Sequence, residues 1–437
     1  MKYALIGQDI AVLLPSLLTD LLEAGQAAPE ICVEEKNSSM QELLEGYARR
    51  CLDRAGHGGS FRAVSSRREL LDGADCVLYA GDLMAQSRFD QDRQALMSPQ
   101  EGETGLEDQA RVNGGIGGLL HTLRQGAQLM PLCEDIHAHA PHARILCLSQ
   151  PMSRCLEIFH ALGLTALGLG TSPLRGPLGA DSLAAETGHK LEEVDVSWAG
   201  LPSFQFLVSM TDRATGEDLM PRVRERMAEG AFGSMSQRWL QELDSVCIGS
   251  PLDHAQFMAA QEGYMPDARP QLSESVEHRR NRILHMNTVK DKGLRDPDGM
   301  ISQLTLLTRT SPLRPGQLSL AIMRREDLSM QGVSRKNAGL IRGLSPEALV
   351  EAPLVLRHGE DETPSLSMPG PLLDLMADID TASRLAAHAA LGDVTALREC
   401  VETDPALEGL DRLYVMDVVH AMIRMHDDIL TQFEEDE

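Results

Sequence analysis

Aromatic side chains are scarce in this chain: two Trp, five Tyr and eight Phe, 3% of 437 residues. Sites for sugars or nucleobases usually lean on aromatic faces, so any such site here must be built mainly from polar groups and aliphatics. Basic residues are also in deficit, 40 Lys+Arg against 65 Asp+Glu, a formal net charge of −25. That balance argues against a protein that tracks nucleic-acid phosphates or is held on anionic lipid. No stretch reaches the ~18–20 uninterrupted apolar residues of a membrane span. The apolar part of MKYALIGQD is too short for a signal-peptide core. A soluble, cytoplasmic protein is the expectation. The eight cysteines form no CxxC pair and lie in apolar patterns such as ILCLS and DCVLYA, which suits buried reduced thiols rather than a disulfide framework. GxSxG elbow, P-loop, HExxH, internal repeat and low-complexity tract are all missing.

What is present is a hydrophobic fraction of 43%, enough for a sizeable core. Short apolar runs at Tyr3–Gly7, Glu30–Glu34, Asp75–Ala80, Arg144–Ser149 and Thr165–Leu169 read as strands. Helical patterns separate them, at Ala11–Leu22, Met40–Asp53, Arg67–Leu71, Gly126–Ala138 and Met152–Leu162. Strands spaced by helices indicate βαβ units and a doubly wound parallel sheet, with any ligand at the strands' carboxyl ends. From about Glu192 the texture changes. Glu193–Gly200 and Phe204–Met210 look like paired strands, helices then dominate, and Leu372–Leu430 is strongly helical before an acidic tail. Two domains are expected, a Rossmann-like unit at 1–195 and an α+β unit at 196–437.

The segment Val333-Ser334-Arg335-Lys336-Asn337-Ala338-Gly339-Leu340-Ile341, followed by Leu344 and by Val350-Glu351-Ala352-Pro353, resembles the "vNxxNxGxIxxLPxxxxVExP" pattern of the family 4 glycoside hydrolases. These are the NAD- and metal-dependent α-galactosidases, α-glucosidases and 6-phospho-glycosidases. Ala389–Pro405 is similar to the family's "AalxgdxxxAlxaLxxDP" ending. Gly114–Gly118 with Leu123-Arg124 resembles its "GpGGxxxaLR" loop, and Pro141–Pro151 its "PxaxliNxTNP". The resemblance covers essentially the whole chain. It implies a Rossmann-like doubly wound sheet and a largely helical C-terminal lobe of the lactate/malate dehydrogenase kind.

The resemblance also implies a chemistry. NAD oxidises a ring hydroxyl, the metal acidifies the neighbouring C–H, a base takes that proton, and the glycosidic bond is eliminated. Gly7, Gln8 and Glu35 stand where the cofactor would be held. The family's "GxGS" turn is here Gly7-Gln8-Asp9-Ile10, and a carboxylate about 4 Å from a phosphate costs roughly 4 kcal/mol at an effective dielectric near 20, which counts against NAD. The family's metal ligands are a Cys in "GlCH" and a His in "GlNH"; the matching positions are Gly170 and Ser203. Neither replaces thiolate or imidazole, so loss of the metal site is expected. "NxTNP" has become Cys147-Leu148-Ser149-Gln150-Pro151, and "dxHxxEY" aligns with Arg269–Ser275, putting Gln271 and Ser275 at its His and Tyr. Tyr264 lies nearby out of register. Arg88, Asp92, Gln150 and Asn337 are the candidates for substrate binding.

Two clusters stand outside this pattern. Cys133, His137, His139 and His142 could form a replacement metal site, although a helix end followed by a polar loop explains them better. His278-Arg279-Arg280-Asn281-Arg282 could face a phosphate, or be a solvated helix face. The expected function is a family 4-like protein of carbohydrate metabolism with a degenerate hydrolytic site. It would bind a sugar or sugar phosphate and assemble with itself as a dimer or tetramer. The alternatives are a working NAD-dependent glycosidase with a rebuilt site and, from another class, an NAD-dependent oxidoreductase.

Overall fold

In the computed structural model the residues described are 1–7, 17–21, 23–25, 28–35, 38–55, 58–81, 85–97, 106–170, 173–259 and 314–433. Among the described residues twelve strands form one sheet: β1 (Lys2–Gly7), β2 (Glu30–Glu34), β3 (Ser60–Val64), β4 (Cys76–Ala80), β5 (Arg144–Cys147), β6 (Ala166–Gly168), β7 (Val194–Leu201), β8 (Phe204–Asp212), β9 (Val246–Ile248), β10 (Leu328–Lys336), β11 (Leu349–Arg357) and β12 (Glu360–Asp361). The order is β3-β2-β1-β4-β5-β6-β10-β11-β7-β8-β9, with β12 on β11. The first six strands are parallel and run in doubly wound order. Both faces of a parallel sheet are covered, and β1 and β4 accordingly read as continuous apolar runs, YALI and CVLYA, buried along almost their whole length.

The first half thus has the architecture expected from its periodicity. The long helix Gly115–His139 begins eleven residues before the pattern suggested, because its first turns are glycine and close contact, not amphipathic repeat, decides them. A Cβ on Gly117 would lie 2.6 Å from the Arg111 backbone, and one on Gly126 2.4 Å from the Ala390 carbonyl oxygen. Helix Gly370–Ala390 packs against this helix and against Met152–Ala161, so C-terminal chain covers the N-terminal part of the sheet. The boundary expected at 195/196 falls inside β7.

Among the described residues the second half also contains two long strands that its texture did not suggest. β10 and β11 are nine-residue antiparallel strands inserted between β6 and β7. Pro353 masks β11, since proline cannot donate to a ladder. Here the ladder shifts between Met330 and Val333, so Pro353 lies opposite a bulge where no donor is needed. The Arg335 guanidinium braces that bulge by donating to the carbonyls of Val333, Ala352 and Pro353.

Seven described cysteines, at 32, 76, 133, 147, 155, 247 and 400, are buried and unbridged. No described helix is long and apolar enough to cross a membrane.

Candidate active site

One transverse row of residues crosses the sheet: Cys147 on β5 faces Gly168 on β6, which faces Ser334 on β10, Glu351 on β11, Gly200 on β7 and Gln205 on β8 in turn. Residues directly opposite in adjacent strands share a face, so Ser334, Glu351 and Gln205 meet. Ser334 Oγ donates to Glu351 Oε2 at 3.4 Å, and Gln205 Nε2 donates to the same oxygen at 3.2 Å. The Ser203 backbone N–H also donates to this carboxyl. Ser203 sits in the β7–β8 turn at a φ of 66°. The other oxygen, Glu351 Oε1, has no hydrogen-bond partner among the described residues.

This carboxyl is 2% exposed. Burial pushes its pKa up from 4.5 to about 7, although its neutral donors pull the other way. It borders a cavity of about 340 Å³ lined by Gln150, Gly170, Ser203, Gln205 and Asp253 among others. Gln150 and Gly170 follow the carboxyl ends of the parallel strands β5 and β6, where doubly wound folds bind ligands. Asp253 is on the short helix Pro251–Ala255 and is half-buried; desolvation raises its carboxyl to about 6. The one cation on the described lining, Arg175, is largely exposed and pairs with Glu192 at 3.5 Å. The described lining contains no aromatic ring. Phe204, Phe206, Trp239 and His254 instead stack with one another behind the row. His254 is buried, with Nε2 3.1 Å from the Ile248 carbonyl oxygen and 3.3 Å from the Gln205 backbone nitrogen, and burial lowers its pKa to about 3, so its ring is neutral.

The positions implied as metal ligands fall beside this carboxyl. A Cβ built on Gly170 would lie 2.8 Å from Glu351 Oε1, so the carboxyl stands in the space a side chain at 170 would enter. Gly170 and Ser203 offer neither thiolate nor imidazole, and no group of three His, Cys, Asp or Glu able to hold a metal occurs among the described residues. The residues present do not fit the metal that the resemblance implies.

At the cofactor end, Gly7 closes β1 at a φ of 132°, and a Cβ there would lie 2.2 Å from the Ala80 carbonyl group. The glycine is demanded by close approach of β1 to β4 as well as by its backbone conformation. Gln8 and Asp9 lie outside the described residues. Glu35 follows β2, its N–H donating to the Val64 carbonyl.

Of the other expected residues Gln150 is on the cavity lining, while Arg88, Asp92 and Asn337 are not. Asp92, 1% exposed, accepts from Arg124 at 2.8 Å and meets His426 Nε2 at 2.6 Å; Arg88 reaches His426 Nδ1 at 3.2 Å and pairs with Asp428. This network joins helix Ala85–Met97 to the long helix and to the end of the chain. Gln150 Oε1 accepts the Met152 N–H. The Asn337 amide is consumed by its own turn, donating to the carbonyls of Ile341, Leu344 and Ser345 and accepting from the Ile341 N–H. Cys133 is buried while His137 is exposed and bonds the Leu162 carbonyl, so they do not converge. The segments around Tyr264, Arg269–Ser275 and His278–Arg282 lie outside the described residues.

Gln205 and Asp253 carried no motif, and Ser334 and Glu351 entered only as letters of a pattern. The signal that could have found it is a single acid in the apolar run Leu349–Leu356, where an unpaired charge is costly.

A Rossmann-type sheet continued by antiparallel strands and helices, with a polar cavity at the parallel strands' carboxyl ends, defines an α/β fold shared with glycosidases. Residues 6–171 match the sequence model described as "Family 4 glycosyl hydrolase". The structure is similar to a 6-phospho-alpha-glucosidase from gut microorganisms, solved in complex with NAD and Mn2+, at TM-score 0.71 and 15% identity, covering 98% of each chain. It is also similar to the 6-phospho-beta glucosidase of Thermotoga maritima, solved with NAD and glucose-6-phosphate, at TM-score 0.68 and 15% identity, covering 98% of this chain and 99% of that one. At such identity the likeness establishes the fold. No curated protein matches the sequence.

Proposed function

We propose that this is a family 4-like protein of carbohydrate metabolism that binds a sugar ligand but has a degenerate NAD- and metal-dependent hydrolytic site. The observation that carries the reading is the position of the Glu351 carboxyl, 2.8 Å from where a Cβ on Gly170 would be, with a serine at 203. A borderline divalent metal is recruited by thiolate and imidazole, and the positions matched to them here, Gly170 and Ser203, carry neither. The glucose-6-phosphate in the Thermotoga maritima structure supports a sugar or sugar phosphate as the ligand class.

A second reading, an active glycosidase with a rebuilt site, is favoured by Glu351 and Asp253, two carboxyls with raised pKa on one cavity. Calorimetric titration of the whole chain with NAD, with and without Mn²⁺, separates the readings when run beside assays of aryl glycosides and their 6-phosphates. Degeneracy predicts neither micromolar NAD binding nor turnover above a buffer blank. Either result would overturn it.

A further inference from the structure

We propose that the cavity beside Glu351 binds an uncharged, hydroxyl-rich ligand, an unphosphorylated sugar, with a ligand hydroxyl donating to Glu351 Oε1. This rests on the reading of the protein as a sugar binder and goes beyond it by choosing between a sugar and its phosphate ester.

Three observations lead there. Glu351 Oε1 is buried without a partner, and such an orphan acceptor inside a protein is normally satisfied by water or ligand. On the cavity side the neighbouring lining position, Gly170, carries no side chain, and a Cβ there would come within 2.8 Å of that oxygen. The cavity, about 340 Å³, is of monosaccharide scale.

Charge then selects among polar ligands. Two carboxyls, Glu351 and Asp253, face the space, while Arg175 is drawn to Glu192 at the exposed rim. A phosphate dianion placed beside these two carboxyls would meet like charge wherever they are ionised. A cation would be welcomed by net charge. The partners that hold Glu351, however, are an amide, a hydroxyl and a backbone N–H, the neutral donors expected beside hydroxyl chemistry, and Ser203 and Gln205 add neutral polar groups.

The test is isothermal titration of the full chain with glucose, galactose and their methyl glycosides, with the corresponding 6-phosphates, and with MgCl₂ and MnCl₂ alone. At least one neutral sugar should bind, with its 6-phosphate about tenfold weaker or worse. Glu351→Gln, which preserves shape, should weaken the neutral sugar by about tenfold, and Asp253→Asn should narrow the gap between the sugar and its phosphate. Equal or tighter binding of the 6-phosphate overturns the proposal. So do cation binding abolished by E351Q, sugar affinity unchanged in E351Q, and no binding by any neutral sugar in the set. Turnover or NAD binding would instead overturn the degenerate-site reading and leave the ratio of sugar to phosphate affinities to decide this one.

Discussion

Replacing Glu351 by Gln should stabilise this protein in alkaline solution and do nothing in acid. The unfolded carboxyl titrates near 4.5, and burial raises the folded one to about 7. Between those values the folded state holds a proton that the unfolded state has released, so stability falls as pH rises through this window. Below 4.5 both states are protonated and the carboxylic acid is a near-isostere of the amide. Above 7 the folded protein carries a buried carboxylate with neutral donors on one oxygen and none on the other. The full displacement, from 4.5 to about 7, corresponds to about 3 kcal/mol at pH 8. Glutamine keeps an oxygen for the Gln205 and Ser334 donors and removes the charge.

Urea unfolding of wild type and variant at pH 5 and pH 8 measures the effect. Other buried carboxyls raised by desolvation, Asp20 to about 6 and Glu157 to about 7, titrate in both proteins and cancel in the comparison. The variant should match wild type at pH 5 and exceed it by up to about 3 kcal/mol at pH 8. Equal stabilities at both pH values, or a variant weaker at pH 8, would refute the claim that this carboxyl is held at a cost to folding. A costly buried acid beside a cavity is the pattern of a group kept for function.

Two further outcomes are expected. Asp92→Asn removes the charge facing Arg124 at 2.8 Å and His426 at 2.6 Å; since Arg124 Nε and Nη1 already lack partners, the loss should approach about 3 kcal/mol, and an unchanged melting temperature would show that the network is idle. Gly170→Cys should not restore Mn²⁺ binding and should cost about 1–3 kcal/mol through collision with Glu351; adding Glu351→Ala should relieve much of that cost in a double-mutant cycle, and additive effects would disprove the collision.

Much of the first half was legible in the sequence. The runs YALIG and EICVE are strands at their expected positions, because apolar runs punctuated by helical patterns are local signals of a parallel sheet. The absence of aromatics on the described cavity lining likewise follows the composition. β10 and β11 were hidden because Gly332 and Pro353 interrupt them, and only pairing across a bulge makes those residues acceptable. Arg88 and Asp92 looked like cleft residues, yet the partner that buries Asp92, His426, lies 334 positions along the chain.

The sequence by itself carried the match of residues 6–171 to the family 4 model, the doubly wound sheet and the presence of glycine at 170 and serine at 203. Those are properties of adjacent residues and their spacing. Only the tertiary structure decided what stands beside them. Gly168, Ser334, Glu351, Gly200 and Gln205 share a row because five strands, far apart in the chain and of both directions, align in register. Hydrogen bonding across that register leaves one carboxyl oxygen unsatisfied at the cavity wall, and no local pattern encodes such a coincidence.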